Sequence, residues 1–121
     1  MIVDDSKAMR MILKKHLSVC GFDEIHEAGN GVEALEVLEE IEWADVVLVD
    51  WNMPEMSGIE LVERVRADSL YDEVPIVMVT TETEVTNMIR ALDAGANEYV
   101  MKPFTAEVLR EKLDLLGATS T

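Results

Sequence analysis

Short apolar runs alternate with longer amphipathic stretches five times along this chain, and that alternation leaves few folds open. The runs are Ile2-Val3, a weaker one marked by Ile25, Val46-Val47-Leu48-Val49, Ile76-Val77-Met78-Val79 and Tyr99-Val100-Met101. Unbroken runs of β-formers suit parallel strands covered on both faces. Between them, apolar residues recur at helical spacing. Met9, Ile12, Leu13, His16, Leu17 and Cys20 predict the stripe of a first helix, with Ser6 as its N-cap and Gly21 just past its end. Asn30 is placed to cap a second helix, with Val32, Leu35, Leu38 and Ile41 as its inner face. Ile59, Val62 and Val65 mark a third helix; Val85, Met88, Ile89 and Leu92 a fourth; Leu109, Leu113 and Leu116 a fifth. Strands and helices alternating in this way predict an α/β fold, a doubly wound five-stranded parallel sheet with five helices on its two faces. Right-handed crossovers restrict the winding. No linker or low-complexity stretch divides residues 1–121, which are read as a single domain.

Charge narrows the partners. A formal net charge of −15 argues against nucleic acid, where binding rests on neutralising phosphates. It argues equally against docking on anionic membranes. It suits basic or amphipathic protein partners and divalent cations. The single cysteine, Cys20, allows no intrachain disulfide, and no apolar run has the length of a membrane span. The expected location is the cytoplasm and the expected state a monomer.

The polar residues of interest fall at strand ends. Asp4 and Asp5 close the first strand, Asp50 the third, Thr80 the fourth and Lys102 the fifth. Each alone has an ordinary reading: a turn former, a helix cap, a solvated lysine. Five together mark a site, because ligands of open α/β sheets bind beyond the carboxyl ends of the strands where strand order reverses. If strands one and three adjoin there, three carboxylates converge and cannot all stay ionised cheaply. A divalent cation resolves that conflict, and an all-oxygen set with few carboxylates points to Mg²⁺. An aspartate can attack phosphorus and form an acyl phosphate. Lys102 would supply positive charge for the phosphoryl oxygens, and the Thr80 hydroxyl a hydrogen bond.

The motifs Asp4-Asp5-Ser6, Asp50-Trp51-Asn52-Met53-Pro54, Thr80-Thr81 and Lys102-Pro103-Phe104, in this order and at strand ends, resemble the receiver domain of two-component response regulators. The stretches VDWNMPEMSGIEL and GANEYVMKPFTAE bring the single-domain chemotaxis regulators of that family closest. The resemblance spans nearly the whole chain. It implies a flavodoxin-like fold with strand order 2-1-3-4-5, an order carried over from the family. It implies Asp50 as the phosphoacceptor, served by a histidine kinase. Asp5 and Asp50 would hold Mg²⁺ by side chain, Asn52 by its backbone carbonyl, and Asp4 mostly through water. Lys102 would contact the phosphoryl group, with a cis peptide to Pro103. Thr80 would move toward the phosphate, and Tyr99 would then turn inward beside it. The face of helix four, strand five and helix five would change its affinity for a downstream protein, in chemotaxis a flagellar switch protein. Asn52 and Glu82 flank the path of attacking water and would tune the lifetime of the acyl phosphate. Two features depart from the family pattern. The chain begins at or inside the first strand, and His16 lies on a stripe where aliphatic residues are usual. His16 is read as a partly buried, hydrogen-bonded core histidine.

Other readings compete. An aspartate-nucleophile, Mg²⁺-dependent phosphatase of the haloacid-dehalogenase type shares the aspartate and lysine. It needs a second acid two residues after the nucleophile, where this chain has Asn52. A flavodoxin would need a hydroxyl- and glycine-rich phosphate loop where Asp4-Asp5 stand. A receiver half of a longer DNA-binding regulator shares every motif, though nothing after Leu116 resembles a linker.

Overall fold

Four helices start where the sequence offers a side-chain oxygen, the last at Thr105, whose hydroxyl accepts the Val108 amide. The Ser6 hydroxyl accepts the Met9 amide, Asn30 the Glu33 amide and Ser57 the Glu60 amide, so donors that the first turn would otherwise orphan are satisfied. The computed structural model describes residues 1–81, 85–102 and 104–117, without the side chains of Val85 and Thr86. Glu82 and the peptide to Pro103 lie outside the described residues. In chain order the elements are β1 (Ile2–Val3), α1 (Lys7–Val19), β2 (Glu27–Ala28), α2 (Gly31–Ile41), β3 (Val47–Asp50), α3 (Gly58–Arg66), a 3-10 turn (Ser69–Tyr71), β4 (Ile76–Thr80), α4 (Val85–Ala94), β5 (Glu98–Met101) and α5 (Ala106–Leu116). The strands pair in parallel in the order β2-β1-β3-β4-β5.

Strand alternation divides the core into two layers. Val3, Val47, Val49, Ile76, Met78 and Tyr99 pack with Leu38, Leu61, Val62 and Ala91, on the side of α2, α3 and α4. Ile2, Leu48, Val77, Val79 and Val100 pack with Leu13, Leu17, Leu109 and Leu113, on the side of α1 and α5. The period of two in β3, β4 and β5 therefore feeds both faces, as a doubly covered sheet requires.

Some expected faces turn out differently. The second strand forms at Glu27–Ala28, two residues beyond Ile25, because β1 pairs Ile2 with Glu27 and Val3 with Ala28. Ile12, Val32, Ile89 and Leu92 are exposed. Instead α1 turns Leu13 and Leu17 inward, α2 turns the small Gly31 and Ala34 inward beside Leu38, and α4 the fully buried Ala91. Small side chains let a helix sit close to the sheet, where a larger one would have to be accommodated by a shift. His16 is half-buried and packs its ring 5.6 Å from that of Phe104, which accounts for an aromatic residue on an aliphatic stripe.

Candidate phosphoryl-transfer site

The site forms where strand order reverses, between β1 and β3. Asp4 follows Ile2 by two residues, Asp50 follows Leu48 by two, and Lys102 follows Val100 by two, so all three continue the phase that packs beneath α1 and α5. Thr80 and Tyr99 continue the opposite phase, shared with Met78 on the α4 side.

Carboxylate oxygens of Asp4, Asp5 and Asp50 lie within 4.8 Å of one another. Asp4 is 1 % exposed and Asp50 9 %, while Asp5 faces solvent. The Lys102 ammonium donates to Asp50 Oδ1 at 3.1 Å and to Asp4 Oδ2 at 3.3 Å. The other Asp4 oxygen accepts the Ser6 amide at 2.9 Å. Both oxygens of Asp4 therefore have protein partners, which suits an outer role toward a cation. Burial, then the Asp4 charge, pushes the Asp50 carboxyl above the usual carboxylate range. Lys102 opposes that shift, and Asp5 adds to it.

The donor set fits magnesium. It is all oxygen, anionic, open to solvent on the Asp5 side and without His or Cys. Asn52 is exposed in the loop that follows Asp50. Thr80 is buried at the end of β4, and its carbonyl accepts the Lys102 amide at 2.8 Å. Tyr99, in β5, is buried, with 4 % of its surface exposed.

Three further residues shape the site. A Cβ on Gly58 would collide with the Asp50 carbonyl, so the start of α3 can approach β3 only as glycine. The Arg90 guanidinium lies 5.8 Å from the centre of the Trp51 ring, joining the loop after Asp50 to α4. Arg10 donates to the Asp4 carbonyl at 2.6 Å. The sequence carries Gly58 only as loop punctuation, and nothing in its pattern marks Arg10 or Arg90.

The family model of the response regulator receiver domain matches residues 1–114. This chain belongs to the response regulator receiver family. It is 51% identical over 121 residues to a chemotaxis protein CheY homolog of Campylobacter jejuni, covering 99% of this chain and 93% of that protein. It is 48% identical over 120 residues to chemotaxis protein CheY1 of Helicobacter pylori, covering 99% of this chain and 97% of that one. Among solved structures, chemotaxis protein CheY4 of Vibrio cholerae superposes with a TM-score of 0.85 at 37% identity, covering 95% of this chain and 94% of the other. The strand order that the resemblance implied is the order of this receiver. No helix among the described residues is long and apolar enough to cross a membrane.

Proposed function

We propose that residues 1–121 form one receiver domain that works as a chemotaxis switch, with Asp50 as its Mg²⁺-dependent phosphoacceptor. The observation that carries this reading is the Lys102 ammonium held between Asp50 and Asp4 inside a cluster of three acids. A carboxylate beside a lysine that favours its ionised form against burial is a ready nucleophile, and the same lysine can follow the charge onto a phosphoryl oxygen. An Asp50 oxygen attacks the phosphorus of a phosphohistidine on the kinase. The new O–P bond forms as the P–N bond breaks, and the electron pair returns to the imidazole. Mg²⁺, held by Asp5, Asp50 and the Asn52 carbonyl with Asp4 behind, would neutralise phosphoryl charge and orient the donor. Thr80 then donates its hydroxyl to a phosphoryl oxygen. Asn52 and Glu82 are assigned the access of hydrolytic water.

The output surface is read as α4, β5 and α5. Ile89, Leu92, Met101 and Val108 are exposed there, an apolar set suited to an amphipathic partner such as a flagellar switch segment. With Thr80 drawn toward the phosphate and Tyr99 turned inward beside it, phosphorylation would favour one of two conformers, as a population shift does. The phosphatase reading is weaker, because Asn52 cannot act as the second acid.

Amide NMR spectra with and without beryllofluoride and Mg²⁺ test the switch. Shifts should extend from Asp50 through Thr80 to Ile89, Tyr99 and Val108. Shifts confined to the three acids and the loop after Asp50 would sink the switch.

A further inference from the structure

We propose that Arg10 is a positioning residue for the acidic site, fixing the peptide between Asp4 and Asp5 and so the geometry in which those acids meet a cation. This rests on the reading of the site as a magnesium-dependent phosphoacceptor.

Arg10 projects from the first turn of α1 toward the end of β1. Its Nη1 donates to the Asp4 carbonyl at 2.6 Å, and its Nε to Glu27 Oε1 at 3.3 Å. The side chain is 19% exposed. Glu27 belongs to the edge strand β2, and its second oxygen pairs with Lys14 at 3.4 Å. The guanidinium therefore ties the site to the sheet edge through one rigid fork, which a lysine could not match in two directions.

The bond matters because of which carbonyl it holds. The Asp4 amide donates to the Ala28 carbonyl at 3.1 Å, so β2 fixes one side of Asp4. Arg10 fixes the other. The Asp4 carbonyl lies in the same planar unit as the Asp5 amide, and a planar peptide transmits its orientation to the next Cα. Asp5 is the exposed member of the cluster, and its direction depends most on that backbone. Partners that orient metal-binding groups are worth about ten- to a hundredfold in metal affinity.

Charge alone gives the opposite sign. Removing a cation beside three acids makes the site more negative and should tighten Mg²⁺ binding. Loss of positioning should weaken it. Calorimetric titration of the chain with Mg²⁺ separates the two. Arg10→Met should weaken binding about tenfold, and Arg10→Lys, which keeps the charge, about threefold. Glu27→Ala frees only the distal end of the fork and should weaken binding by about two- to threefold. At saturating Mg²⁺, labelling of Arg10→Met by acetyl phosphate should reach the wild-type rate within about twofold, because only the metal constant has shifted. Unchanged or tighter binding in folded Arg10→Met overturns the proposal, as does a lowered plateau with an unshifted metal constant. If Arg10→Met does not fold, unchanged binding in Glu27→Ala overturns it. An Asp50→Asn control keeps the two readings apart: Mg²⁺ binding indifferent to that change refutes the phosphoacceptor site itself.

Discussion

Replacing Asp50 by asparagine should stabilise the protein in the absence of divalent cations at neutral pH. The Asp50 carboxylate stands within 4.8 Å of carboxylate oxygens on both Asp4 and Asp5. At an effective dielectric of about 20, each such pair costs about 3.5 kcal/mol, so the two together cost about 7. Lys102 at 3.1 Å returns about 5 kcal/mol on the same scale. Asp5 faces solvent, which screens most of its share and leaves the charge terms near balance; burial of the carboxylate, the largest cause of its raised value, then sets the net at about 1–2 kcal/mol against the ionised group. Asparagine removes that repulsion and keeps an oxygen for Lys102. The pH dependence follows from the raised Asp50 value. Below the ordinary carboxylate value Asp50 is protonated in both folded and unfolded chains, and the penalty is absent. It grows as pH rises from the ordinary value to the raised one, and is constant above. Urea denaturation followed by circular dichroism, with EDTA, should therefore give Asp50→Asn a gain of about 1–2 kcal/mol at pH 7, or about 3–5 °C in Tm per kcal/mol. The gain should vanish near pH 3.5. A neutral or destabilising substitution at pH 7, or an equal gain at both pH values, would refute the electrostatic account.

Lys102→Met should act in the other direction. It leaves Asp4 and Asp50 facing each other without their shared cation, and should cost about 2 kcal/mol in the urea midpoint at pH 7 in EDTA. A loss of similar size in an Asp50→Asn background would show that the lysine stabilises by something other than its contact with Asp50. Gly58→Ala should cost about 2 kcal/mol, since its Cβ must displace the Asp50 backbone. The same substitution should weaken Mg²⁺ binding in calorimetry, and unaltered affinity would place the displacement away from the site.

Much of the fold was legible because its signals are local. A Ser or Asn oxygen at a helix start, or an unbroken run such as Val47-Leu48-Val49, needs no knowledge of distant chain. The helix faces were less legible. Hydropathy favours Val32, Ile89 and Leu92 for the interior, but the spacing between α2 or α4 and the sheet admits Ala34 and Ala91. The candidate site shows the same divide. Asp4, Asp50 and Lys102 were visible because each closes an apolar run that reads as a strand. Arg10 was not, because a lone arginine on a polar helix face looks like any solvated cation until its distance to the Asp4 carbonyl is known.

The most direct test of the central claim is intact-mass analysis of the chain incubated with acetyl phosphate and Mg²⁺. Wild type should gain a single phosphoryl group, lost on omitting Mg²⁺ and absent in Asp50→Asn. An Asp50→Asn protein that labels as wild type does would contradict the assignment of the phosphoacceptor.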